Sequence, residues 1–206
     1  MSAIQTELVV YHIGHGEVRL WQPVPRDVPR PEENAAALYW ARIWPSAIAL
    51  AHFLARHPQW VQGKNVLELG AGLGLPSLVA ARFASRVCCT DLYAEAVMLV
   101  ARSAKENRLE NITCQMLDWE ALPGDLAADV LLLSDVNYEQ DSFPRLYEML
   151  LRFLKQGATI LLTTPRRLMA KPFISQLLPF AIHQEGLDEE TANPLSLFIL
   201  RADSMV

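Results

Sequence analysis

The chemistry legible in this chain begins at Glu68-Leu69-Gly70-Ala71-Gly72-Leu73-Gly74, a carboxylate followed by three alternating glycines, with Pro76 just behind them. Glycines so spaced let the backbone turn sharply and come close to a ligand, where a Cβ would collide with it. The apolar run at 65–69 reads as a buried strand and Pro76 sits where a helix would begin, so strand, turn and helix together form a nucleotide cradle. A second carboxylate, Asp91, ends the next β-prone run, and its two oxygens can accept both hydroxyls of a ribose. The dinucleotide fingerprint wants its third glycine at position 75, and Leu75 there counts against a nicotinamide cofactor.

Two more groups stand where strands are expected to end. In Asp118-Trp119-Glu120, the indole could lie flat on an adenine while Asp118 accepts a hydrogen bond from its exocyclic amine. In Ser134-Asp135-Val136-Asn137-Tyr138, a carboxylate and a phenol three residues apart can point into one pocket. Trp40 and Trp44 lie ahead of the cradle, where they serve either as core anchors or as a wall of the site. His12 and His15 have no Cys or carboxylate arranged around them, and no metal site is expected.

Strands at 65–69, 86–90, 112–116, 129–133 and 158–163 alternate with helices at 76–84, 94–107 and 142–154, and a further helix up to residue 56 precedes them. This rhythm predicts right-handed βαβ units and an α/β, Rossmann-like, doubly wound seven-stranded sheet, mostly parallel. A helix at about 170–178 and short strands near 180–184 and 196–200 suggest an antiparallel final pair, the last strand running against the rest. Ligands in such sheets bind beyond the carboxyl ends of the strands, where Asp91, Asp118, Trp119, Ser134 and Asp135 all fall. Ahead of the sheet, runs at 8–13 and 17–21 around Gly14-His15-Gly16 read as a hairpin, and four prolines within 21–34 as an extended connector. The expected division is a hairpin and connector over 1–34 and the main domain over 35–206.

With 206 residues, 51% of them hydrophobic and 20% charged, the chain suits one globular domain with a small extension. A net charge of −5 without any basic cluster larger than a pair such as Arg166-Arg167 makes nucleic acid a poor partner. Cys88, Cys89 and Cys114 lack metal-ligand spacing and read as small buried hydrophobes in a reducing compartment. No apolar stretch is long enough to span a bilayer, so a soluble, cytoplasmic protein without a membrane partner is expected. The sequence is compatible with a monomer and leaves the oligomeric state open.

The E-x-G-x-G-x-G turn with its downstream aspartate resembles motif I and the acidic partner of the class I, seven-β-strand S-adenosylmethionine (SAM) methyltransferases. Trp44-Pro45-Ser46-Ala47, Glu68 to Gly74, Trp119 and Asp135-Val136-Asn137-Tyr138, in that order, are similar to the motifs of the family that methylates lysines of non-histone proteins. Within that family, the segments Tyr39 to Pro45 and His57 to Lys64 resemble the branch acting on the β-subunit of electron-transfer flavoprotein. The chain departs from that branch at Asn137, where a bulky apolar residue is usual, and at Leu92-Tyr93, which stands in place of Ile-Asp. The resemblance implies SAM as cofactor and places Trp44, Gly70, Ala71, Gly72, Asp91, Trp119 and Ser134 around it; Glu68, Gly74, Leu92 and Asp118 complete the expected set. It makes Asp135 and Tyr138 the catalytic, substrate-facing pair, and a protein lysine the acceptor. A small-molecule N- or O-methyltransferase of the same fold, or a non-catalytic SAM-binding partner protein, remain the alternatives.

Overall fold

Side chains alternate across a strand, so a strand buried at successive residues must be covered on both faces. That is the situation of β3 (Asn65–Glu68), β6 (Val130–Ser134) and β7 (Thr159–Pro165): Val66, Leu132 and Leu161 enter one apolar layer, and Leu67, Leu131 and Leu162 the other. The computed structural model describes residues 5–25, 36–137, 140–187 and 194–202. Among them β3, β6 and β7 join β4 (Arg86–Asp91), β5 (Ile112–Met116), β8 (Ala181–Leu187) and β9 (Leu195–Leu200) in a sheet of order β5-β4-β3-β6-β7-β9-β8. Pairings from β5 to β7 are parallel, and β9 runs antiparallel to both of its neighbours. The antiparallel final pair is present, but the last strand in sequence is not the last in space. β9 is buried at every residue and takes the inner place, whereas β8, which carries His183, Gln184 and Glu185, takes the edge.

One face of the sheet carries α1 (Pro45–Arg56), α2 (Leu75–Ala80) and α3 (Ala94–Glu106), and the other α4 (Phe143–Lys155) and α5 (Lys171–Leu177). α4 buries Leu146, Met149, Leu150, Phe153 and Leu154, the i, i+3, i+4, i+7, i+8 stripe of a helix lying on a core. α2 is entirely buried and stops earlier than the expected 76–84. Beyond Ala80 the chain tightens into three-residue hydrogen bonds, Arg82 N to Val79 O at 3.2 Å and Phe83 N to Ala80 O at 3.0 Å, and turns back toward β4.

The hairpin pairs β1 (Thr6–Ile13) with β2 (Gly16–Pro23) and buries Val18 and Leu20 in the first layer. It is fastened to α3. The Trp21 amide donates to Ser103 Oγ at 2.9 Å, the Arg19 amide to Asn107 Oδ1 at 2.9 Å, and the Arg102 guanidinium lies over the Trp21 ring. Most of the expected connector lies outside the described residues. Among those described, no helix is long and apolar enough to cross a membrane, and no group of three or more His, Cys, Asp and Glu could hold a metal.

Candidate active site

β3 has β4 on one flank and β6 on the other, so the chains leaving β3 and β6 diverge and a crevice opens at their carboxyl ends. A cleft with about 950 Å³ of empty space, its open mouth included, occupies this position. It is lined from 39–47, the turn 69–73, 91–93, Trp119 and 133–136.

At one end the site is made of backbone. Gly70, Gly72 and Gly74 all have positive φ, from +55° to +69°, a region costly to other residues. The Gly72 amide donates to Asp91 Oδ2 at 2.7 Å and the Tyr93 amide to Asp91 Oδ1 at 3.0 Å, so one carboxylate ties the glycine turn to the start of α3. Burial raises the pKa of Asp91, and these amides oppose the shift. A Cβ on Gly72 would lie 3.3 Å from the Trp40 carbonyl oxygen, and one on Gly74 would lie 2.8 Å from both Val100 methyls and 3.1 Å from Cys89 Sγ. The third glycine therefore serves the packing of α3 on the turn rather than close approach to a ligand.

Glu68 and Gly74 are not on the cleft wall, nor is Asp118. Glu68 is fully buried and accepts hydrogen bonds at Oε2 from the Ser77 amide (2.9 Å) and Ser77 Oγ (2.5 Å), joining β3 to α2 beneath the turn. Burial pushes its pKa up to about 8; the Ser77 bonds pull it down, and the nearby Asp91 charge adds to the rise. Its Oε1 has no partner, which suits a neutral carboxyl. Asp118 is exposed just before the short helical turn Trp119–Ala121, and only Trp119 faces the cleft.

Aromatic side chains wall the middle. Trp44 caps α1 in extended conformation and donates Nε1 to the Tyr39 carbonyl at 2.9 Å, with the two rings 5.7 Å apart. Trp40 is buried, its ring 6.5 Å from that of Tyr93. Trp119 is half-buried against the second apolar layer, and Leu92 is half-exposed on the wall.

At the far end the cleft is made of side chains. Ser134 and Asp135 both line it, and Asp135 holds φ at +58°, uncommon outside glycine. Its amide donates to the Thr163 carbonyl at 2.9 Å, and its carboxylate, 8% exposed, pairs with Arg167 Nη1 at 2.5 Å. Asn137 is fully buried; its Oδ1 accepts from Thr164 Oγ1 at 2.6 Å and its Nδ2 has no partner. Tyr138 lies outside the described residues. Arg167 is absent from the residues expected at the site. The available signal was its place in the loop after β7, at the same sheet edge, but an Arg-Arg pair there reads equally as a solvated charge.

The sequence profile of the lysine methyltransferase family matches residues 32–179. Histone-arginine methyltransferase METTL23 of Mus musculus is 30% identical over 135 residues, 57% of this chain and 53% of that protein. The electron transfer flavoprotein beta subunit lysine methyltransferase of Homo sapiens is 31% identical over 131 residues, 63% of this chain and 50% of that protein. The chain thus spans about half the length of these curated relatives. Of solved structures, the T. thermophilus 16S rRNA methyltransferase RsmC in complex with AdoMet and guanosine superposes with a TM-score of 0.68 at 18% identity, covering 97% of this chain and 51% of that one. Methanocaldococcus jannaschii Trm5 in complex with adenosine gives 0.65 at 17%, covering 97% and 58%. At these identities the likeness is one of fold, and the fold is the Rossmann-like one of methyltransferases. Matched by the family profile over most of its length and folded around a sheet of this kind, the chain belongs to the lysine methyltransferase family.

Proposed function

We propose that this chain is a SAM-dependent methyltransferase that transfers a methyl group to a lysine side-chain amine of a protein. The observation that carries the reading is one cleft joining the Asp91-bound glycine turn to a largely buried Asp135. Family membership supports the reaction class.

The residues present fit the cofactor. Asp91 has an amide on each oxygen and still offers lone pairs to a ribose diol. Gly70 brings no side chain to the floor, where even an added Cβ would come no nearer than 3.5 Å to Val136. Leu92 and Trp119 offer apolar surface to a base, while Trp44, Ala71, Gly72 and Ser134 line the remainder.

Bound SAM supplies an electrophilic methyl group on a sulfonium, so the protein needs no nucleophile of its own. Its task is to hold a neutral amine close and collinear with that methyl, and such positioning is worth about 7–11 kcal/mol at best. Asp135 attracts and orients the arriving lysine cation. Burial among the walls around Trp44 then disfavours its charged form, and the proton passes to water at the open mouth of the cleft. Tyr138 packs on or hydrogen-bonds the amine. A protein acceptor suits a chain of net charge −5 better than a nucleic acid does. The free thiols Cys88, Cys89 and Cys114 suit a reducing compartment, which we take to be the cytoplasm.

The test is transfer of labelled methyl from SAM into a cell lysate by wild type and by Gly72→Arg, resolved by size. A discrete protein band with wild type alone is expected. Label confined to small molecules would replace the protein acceptor with a metabolite, label in RNA would replace it with nucleic acid, and no SAM binding by wild type would end the methyltransferase reading.

A further inference from the structure

We propose that Arg167 is a specificity-determining residue, a tethered cation that occupies Asp135 until a polypeptide displaces it, so that free amines are refused. The inference rests on the reading that Asp135 receives the acceptor amine.

The two groups are unequally placed. The Asp135 side chain is 8% exposed, whereas that of Arg167, its partner at 2.5 Å, is 29% exposed. A carboxylate so enclosed is costly without a cation beside it, and Arg167, outside the residues that line the cleft and more exposed, supplies one. The positions of both are set by the sheet: Asp135 sits at positive φ with its amide bonded to β7, and the Arg167 amide closes a tight bond to Pro165 O at 2.8 Å, at the end of that strand.

A lysine ammonium arriving at Asp135 meets a guanidinium of equal charge already on Oδ1, and because the side chain is only 8% exposed the two cations repel at close range, so the newcomer gains the carboxylate by replacing Arg167. The exchange leaves the number of buried charges unchanged, so charge alone gives the newcomer no advantage. A free amine competes against a cation held at high effective concentration by its own chain, and loses. A polypeptide brings further contacts. Directly after Arg167, the short helical turn Leu168–Ala170 presents Leu168 at 78% and Met169 at 41% exposure, apolar surface that a backbone or side chain beside the target lysine can cover. Covering it shifts the segment that carries Arg167 and opens Asp135 to the acceptor.

The experiment uses n-butylammonium, the end of a lysine side chain without its backbone, titrated into the full chain and followed by NMR line broadening of the probe, with no transfer required. Arg167→Ala and Arg167→Gln are expected to bind it at least tenfold more tightly than wild type, and adding Asp135→Asn to Arg167→Ala is expected to return binding to the wild-type level. Equal binding by wild type and both Arg167 variants would overturn the proposal, as would a gain that survives Asp135→Asn. Unfolding of both Arg167 variants in thermal melts would also overturn it, making Arg167 a structural clamp. Calorimetry of SAM with wild type separates the two claims: absent binding defeats the methyltransferase reading, while normal binding with a flat butylammonium series defeats only the role of Arg167.

Discussion

At one end of the cleft Asp91 is held by the amides of Gly72 and Tyr93, 19 and 2 residues away; at the other Asp135 is held by the side chain of Arg167, 32 residues away. Backbone amides belong to the fold and cannot leave without unfolding the turn, so the Asp91 end is preorganised. A guanidinium on a long side chain can leave, and its departure changes what the site accepts. The contrast matches the two tasks proposed for the cleft, since a cofactor is the same in every turnover whereas an acceptor must be admitted and then released.

Substitutions can break that comparison at either end. The largest effect is expected for Gly72→Val, which forces a β-branched residue to φ +55° and pushes its Cβ to 3.3 Å from the Trp40 carbonyl. SAM affinity by calorimetry should fall more than about 100-fold, a loss of about 2.8 kcal/mol, and with it all transfer. Asp135→Asn should act on the other end alone, lowering single-turnover transfer about 100-fold while SAM affinity stays within about threefold. Loss of both together would make Asp135 a cofactor residue and erase the distinction between the ends. Asp91→Asn keeps the shape but loses a charged acceptor, and SAM binding should weaken about tenfold, or 1.4 kcal/mol, with the melting temperature lowered by the weaker bonds to Gly72 and Tyr93.

The smallest effect concerns the floor beneath the turn. Glu68 has its pKa raised from an ordinary 4.5 to about 8, so between these values the folded state holds a proton that the unfolded state has released. Its contribution is fully present below pH 4.5 and is lost as pH rises toward 8. Glu68→Gln is neutral throughout. Calorimetric melts should find it a little less stable than wild type at pH 5, where its amide lacks an acceptor, and closing that gap or passing wild type at pH 8.5. Parallel curves at both pH values would mean that Glu68 is ionised in the fold.

Sheet and turn were legible early because their causes are local. Apolar runs, Pro76 and the glycine spacing act within a few residues, and the structure shows strands and helices where these signals put them, with α2 cut short by its tightened last turn. Glu68 and Gly74 show the limit of motif reading: they stand within the cradle sequence, yet one points beneath it toward Ser77 and the other leaves room for Val100. Asp118 and Trp119 are neighbours in sequence and part company in space, one exposed and the other on the cleft wall.

The sequence by itself determined the α/β class, the strand that carries the glycine turn and the sheet edge at which a ligand must sit, because periodicity and backbone preference are properties of short segments. Only the tertiary structure decided that β9 lies inside β8, that the hairpin rests on α3, and that Arg167 reaches Asp135. Each of these joins segments far apart in the chain, and which distant groups meet depends on how whole layers pack, a choice that no local pattern encodes.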